Sequence, residues 1–130
     1  MFFRHLLTKV HHLHFTTEQT KRIPRDSFAN NLANSAQQFI VKRGDSVKLA
    51  AGLPWHGRWG RDTLISLAGI TLVQGDVALF KSILDSLVKE VKDDLFPNKG
   101  TGDSKNYLSS DTSLWFFRTL QQYIELTGDE

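Results

Sequence analysis

Two helices and the turn between them are written in Thr63-Leu64-Ile65-Ser66-Leu67-Ala68-Gly69-Ile70-Thr71-Leu72-Val73-Gln74-Gly75-Asp76-Val77-Ala78-Leu79-Phe80-Lys81-Ser82-Ile83-Leu84-Asp85-Ser86-Leu87-Val88-Lys89-Glu90-Val91. Apolar residues recur at spacings of three and four on both sides of Gly75-Asp76, the pattern of amphipathic helices. The first helix is expected over 62–74, with Leu64, Leu67, Ala68 and Leu72 on one face. Ile65 and Ile70 widen that face, so the helix reads as buried on several sides. Asp62 sits near its start, where a carboxylate suits the positive end of the helix dipole. Gly75 ends it as a left-handed cap. Asp76 caps the second helix, expected over 77–93. Its buried stripe is Leu79, Phe80, Ile83, Leu84, Leu87, Val88 and Val91, and Lys81, Asp85, Lys89, Glu90 and Lys92 form its wet side. A two-residue connection predicts an antiparallel helical hairpin.

Upstream, Asp26 or Ser27 caps a helix expected over 27–42, striped by Phe28, Leu32, Ser35, Phe39 and Ile40 and stopped by Gly44. A turn and a short extended piece follow over 45–51. Downstream, the turn-rich loop 95–105 leads to a helix expected over 112–127, capped by Ser110 or Asp111 and closed by Gly128. Leu114, Trp115, Phe117, Leu120, Tyr123, Ile124 and Leu126 supply its apolar positions. No strand pair is expected. The class is all-α, four helices built as hairpins. Residues 1–25 read as an N-terminal segment or linker, with Pro24 forcing Ile23 into an extended conformation. Residues 26–130 read as the helical domain. Its second and fourth helices carry more apolar surface than four helices can cover. The expectation is part of a larger fold, or self-association.

The totals exclude several classes. A net charge of +2, with Lys and Arg spread along 130 residues, gives no footprint for nucleic acid. The absence of cysteine excludes a disulfide scaffold and a thiolate metal site, and fits a cytoplasmic location. No apolar run approaches the roughly 20 residues needed to span a bilayer, so no membrane partner is expected. Arg4, His5 and Lys9 break up the apolar N-terminus and make it a poor signal peptide. His11, His12 and His14 lie close together, but no carboxylate or further histidine joins them, so they read as a solvated segment and not a metal site. Phosphate loops, dinucleotide fingerprints and zinc motifs are absent.

Chemistry concentrates just before the first quoted helix, in Ala51-Gly52-Leu53-Pro54-Trp55-His56-Gly57-Arg58-Trp59-Gly60-Arg61-Asp62. Three glycines and a proline make an irregular loop. Trp55 and Trp59 serve either as loop aromatics packed on the core or as a stacking platform for sugar rings, whose C–H faces are apolar. Arg61 and Asp62 serve either as an ion-paired cap or as a guanidinium and a carboxylate aimed from a rigid helix start at two vicinal hydroxyls. His56 is either solvated or a hydroxyl ligand. Asp111 is either a plain helix cap or, with Asn106 and Tyr107, part of the polar rim of the same cleft. Glycoside hydrolysis commonly needs two carboxyl groups, about 5–5.5 Å apart in retaining enzymes and about 6.5–9.5 Å apart in inverting ones. Asp62 and Asp111 stand on consecutive hairpins, where they could flank one cleft.

At Pro54-Trp55-His56-Gly57-Arg58-Trp59-Gly60-Arg61-Asp62-Thr63 and the apolar helix after it, the chain resembles the glycogen debranching enzyme family, in its amylo-α-1,6-glucosidase part. The resemblance continues through Leu72 to Gly75, Phe96-Pro97-Asn98, Asn106-Tyr107, Asp111 to Phe116, and Tyr123 to Asp129. It implies a six-hairpin (α/α) toroid that hydrolyses α-1,6-linked glucose at the branch points of α-glucans, without metal or organic cofactor. It implies that Arg61 and Asp62, with Trp59 nearby, grip the terminal glucose. Asp111 then corresponds to an acid or a substrate ligand. Trp55, His56 and Asn106 would line the rest of the sugar site. Two departures stand out, since His56 and Arg58 replace residues that are commonly aromatic and acidic or polar in the family. The family's base glutamate lies near the toroid's C-terminus, so this chain is expected to hold sugar-site residues without a full catalytic pair. The alternative reading is a non-catalytic helical-hairpin module that binds glycan or protein.

Overall fold

The computed structural model describes residues 23–43, 46–52, 57–99 and 106–129. The histidines at 11, 12 and 14, the segment 1–22, Gly44 and Trp55 and His56 lie outside the described residues. The described part is mostly helical with one small sheet. In order it holds α1 (Phe28–Gln37), β1 (Ile40–Arg43), β2 (Ser46–Leu49), α2 (Gly60–Ile70), a 3-10 turn (Leu72–Gln74), α3 (Val77–Val88) and α4 (Asp111–Thr127).

The sheet corrects the all-α expectation. Helix α1 stops at Gln37, and the chain turns into an antiparallel hairpin that pairs Ile40 with Leu49 and Lys42 with Val47. Ala50 N–H donates to the Phe39 carbonyl at 2.8 Å and extends the pairing. Helical spacing continues through Phe39 and Ile40, so periodicity alone predicts helix there. Ile40-Val41 and Val47 are β-branched and lose less rotamer freedom in a strand than in a helix. In the strands Leu49 is fully buried, and Ile40 and Val47 pack on the core. Helix α1 itself buries no residue, and Phe28 and Leu32 are exposed.

The helix ends are made as local chemistry demands. Ser27 accepts from Asn30 N–H at 3.2 Å at the start of α1, and Asp76 accepts from Leu79 N–H at 2.9 Å at the start of α3. Gly75 (φ 77°) and Gly128 (φ 69°) take the left-handed conformation that closes a helix without a Cβ penalty. The expected 62–74 helix is instead α2 plus the 3-10 turn, broken where the Thr71 hydroxyl donates to the Leu67 carbonyl at 2.6 Å. Helix α3 ends at Val88, earlier than expected, and Val88 and Val91 lie exposed instead of on the buried stripe. After it, Asp93 (φ 51°) and Asp94 (φ 62°) form a tight two-residue turn between Lys92 and Leu95, and aspartate is among the residues that tolerate this region.

The core gathers Leu64, Leu67 and Ala68 of α2, Phe80, Ile83, Leu84 and Leu87 of α3, and Leu49, Leu72 and Phe96. Helix α4 lies on α2 more extensively than any other pair of helices does. Small buried residues, Thr112 and Thr119, line its inner side. The Thr119 hydroxyl reaches across to the Leu64 carbonyl at 2.9 Å. Phe96 stacks on Phe116 at 4.6 Å between centroids and Phe80 on Tyr123 at 5.3 Å, which ties α4 to the rest. No described helix is long and apolar enough to cross a membrane.

Candidate functional site

The starts of α2 and α4 are linked through Asn98, Lys99 and Asn106. Trp59 pairs with Lys99, and Lys99 with Asn106, in two isolated bridges. Gly60 N–H donates to the Asn98 carbonyl and Asn98 N–H to the Asn106 carbonyl, each at 2.7 Å. Gly60 is obligatory here, since a Cβ at that position would overlap the main-chain carbonyl oxygen of Pro97. This close approach sets where the first turn of α2 stands.

Arg61, in that first turn, crosses to α4. Its Nε donates to Asp111 Oδ2 at 2.6 Å, although the two residues are fifty positions apart. Both side chains are about half exposed. Asp111 is not the side-chain cap of α4. The cap position belongs to Ser110, which makes no side-chain capping bond, and Asp111 opens the helix itself. The other Asp111 oxygen accepts a short hydrogen bond from the Ser109 hydroxyl. The Ser109 hydrogen bond first, and the Arg61 hydrogen bond second, hold the Asp111 carboxyl below the usual carboxylate range. Asp111 is therefore ionised at neutral pH.

Asp62 faces elsewhere. It is exposed and makes no side-chain capping bond, because Trp59 holds the cap position of α2. It lines the rim of a cavity of about 300 Å³ between α2 and the hairpin, together with Ser66, over a floor that includes Phe39, Leu49, Ile65 and Ile70. Arg61 thus points to α4 while Asp62 borders the hairpin side. Trp59 is half-buried, with the Lys99 ammonium 4.9 Å from its ring centroid, a cation–π contact. Asn106 is exposed, and its side-chain oxygen accepts from Leu108 N–H at 2.8 Å, a turn-forming bond. Trp55 and His56 lie outside the described residues.

Residues 34–130 match the family model described as Amylo-alpha-1,6-glucosidase. The chain belongs to this family. Over 93 residues it is 32% identical to the glycogen debranching enzyme of Saccharomyces cerevisiae, a match that takes in 66% of this chain and 6% of that enzyme. An amylo-alpha-1,6-glucosidase-family chain thus spans only a small fraction of the length of the relative it matches. All the site residues described above fall within the matched stretch.

Three features escape a reading of the sequence. Ser109 is one, although a hydroxyl two residues before a helix-opening aspartate is a local signal that points to it. Lys99 on Trp59 is another, and it depends on the loop's path. The third is Arg58, which carries no local signal at all. Its side chain is only 5% exposed, and its Nη1 lies 2.5 Å from Glu90 Oε1. Arg58 is therefore a buried ion-pair partner of Glu90. Glu90, expected on the wet side of its helix, is half-buried and also meets Lys48 at 3.3 Å. Burial pushes the Glu90 carboxyl up, but the adjoining Arg58 guanidinium, joined by Lys48, outweighs it and holds the group below its ordinary range.

Proposed function

We propose that this chain forms the sugar-gripping part of an (α/α) toroid that hydrolyses α-1,6-linked glucose at the branch points of α-glucans. The observation that carries the reading is the Arg61–Asp111 hydrogen bond in a chain of the amylo-alpha-1,6-glucosidase family. It unites the starts of two helices at one polar edge, with Trp59 one residue before the first turn of α2 and Asp62 within it. Among the described residues Arg61 bonds Asp111 through Nε alone, so its terminal nitrogens are placed to donate to vicinal hydroxyls. Residues 26–130 are then the partial glucosidase domain and residues 1–25 a segment leading into it.

The state of Asp111 bears on its role. A general acid must hold a proton at the working pH, which calls for a raised pKa. The carboxyl of Asp111 is shifted the other way, by Ser109 and Arg61. This favours Asp111 as a substrate ligand that orients hydroxyls with Arg61, over Asp111 as the acid. Asp62, which borders the cavity on the hairpin side of α2, would meet a different part of the glucan from Arg61 and Asp111. Hydrolysis then calls on carboxyl groups of the rest of the toroid, working as the acid and base of an inverting reaction.

The test is binding and turnover by the purified 130-residue chain on phosphorylase-trimmed limit dextrin. The expected result is binding that weakens at least tenfold in Arg61→Ala and in Asp62→Asn, with unchanged circular dichroism and no glucose release. Folded wild-type protein that does not bind the dextrin would sink the reading. Glucose release lost in Asp111→Asn would instead assign Asp111 to the catalytic pair.

A further inference from the structure

Among the described residues, Glu90 touches the lead-ins to both α2 and α4. Its carboxylate meets Arg58, from the lead-in to α2, at 2.5 Å and Lys48, from β2, at 3.3 Å. Its main-chain carbonyl accepts the Tyr107 hydroxyl, from the lead-in to α4, at 3.0 Å. Arg58 stands three residues before Arg61, and Tyr107 four before Asp111. Just upstream of Arg58, Ala51 N–H donates to the Gly57 carbonyl at 3.0 Å, which links the end of the hairpin to the α2 lead-in. So one half-buried carboxylate residue ties β2, the α2 lead-in and the α4 lead-in to the end of α3.

A buried ion pair adds little net stability, because desolvation cancels much of the attraction, and its better-attested use is to specify one arrangement among several. The arrangement specified here is the spacing between two helix starts. Neither Nη1 nor Nη2 of Arg58 makes a hydrogen bond among the described residues, so the contact with Glu90 is an ion pair alone, which also argues against the pair being optimised for stability.

We propose that Arg58 and Glu90 are positioning residues that set the Arg61–Asp111 hydrogen bond and thereby the spacing of the sugar-gripping groups. The last clause rests on the glucan reading; the first does not.

The decisive variant is Arg58→Met with Glu90→Met, which replaces the pair by apolar groups of similar length and commonly preserves a fold. The readout is the NMR signal of the Arg61 Nε–H in the 130-residue chain, with circular dichroism and thermal unfolding alongside. In the folded double variant the signal is expected to move to the position of a free arginine. Its exchange with water should quicken at least tenfold, and limit-dextrin affinity should fall about tenfold. An unchanged Arg61 signal in the folded double variant overturns the proposal. Glu90→Gln, which keeps shape and hydrogen-bonding capacity but loses the charge, is read in the same way if the double variant does not fold. Wild-type protein that fails to bind dextrin defeats the glucan reading alone, because the Arg61 signal still decides the positioning role.

Discussion

At the scale of single residues, two sites control the polar edge. Gly60 admits the Pro97 carbonyl where a side chain would collide with it. Gly60→Ala must move backbone, and overpacking of this kind costs about 1–3 kcal/mol. The check is urea unfolding, where the midpoint should fall with little change of slope. Asp111 and Glu90 contribute to the response to acid, alongside Asp129, whose carboxyl Tyr123 and Lys81 also hold low. Both carboxyls lie below their ordinary range in the fold, Asp111 through Ser109 and Arg61, Glu90 through Arg58 and Lys48 against its own desolvation. A group whose folded value is depressed contributes stability above its unfolded pKa and loses it as pH falls through the folded one. Stability should therefore decline below about pH 5. Urea titrations of Glu90→Gln across that range should show a shallower decline than wild type. An equally steep decline would mean that other carboxylates dominate.

At the scale of elements, the Asp76, Gly75 and Gly128 caps were legible because each depends on neighbours in sequence. Asp76 needs only the Leu79 N–H three residues on, and Gly75 and Gly128 need only the absence of a Cβ. Asp76→Ala should cost about 1 kcal/mol, seen as a lower thermal midpoint with helix content retained. The hairpin was not legible, because Phe39 and Ile40 continue the helical spacing of α1. What separates helix from strand there is the pairing with Val47 and Leu49, which a periodicity window does not see. The α2–α4 contact has its own test. Thr119 is fully buried, and its hydroxyl is within reach of both the Leu64 carbonyl of α2 and the Trp115 carbonyl of its own helix. Thr119→Val keeps the shape and removes the donor, so it should destabilise by about 1 kcal/mol. Thr119→Leu should cost more, about 1–3 kcal/mol, because α4 would have to move off α2.

At the scale of the whole molecule, the apolar surface is not closed. Leu114 is 69% and Phe117 67% exposed on α4, and Ile124 and Leu126 are also exposed. Patches of this kind on a soluble chain mark surfaces that associate. In the proposed toroid they meet its further helices. The isolated chain should then show concentration-dependent association in sedimentation experiments. Leu114→Lys with Phe117→Lys should abolish that association while leaving circular dichroism unchanged. A wild-type chain that stays monomeric at high concentration would show that this face tolerates water.

The sequence by itself determined the helices that carry the core, the Asp76, Gly75 and Gly128 caps, and the identity of the polar residues near Trp59 and Asp111. All of these rest on local spacing, capping chemistry and motif order, which act over a few residues. Only the tertiary structure decided which partners those residues take. Arg61 meets Asp111 across fifty positions, Asp62 borders the cavity beside the hairpin, and Arg58 disappears into an ion pair with Glu90. Side-chain pairing between distant segments depends on how helices pack and where loops close, and no residue signals that to its neighbours.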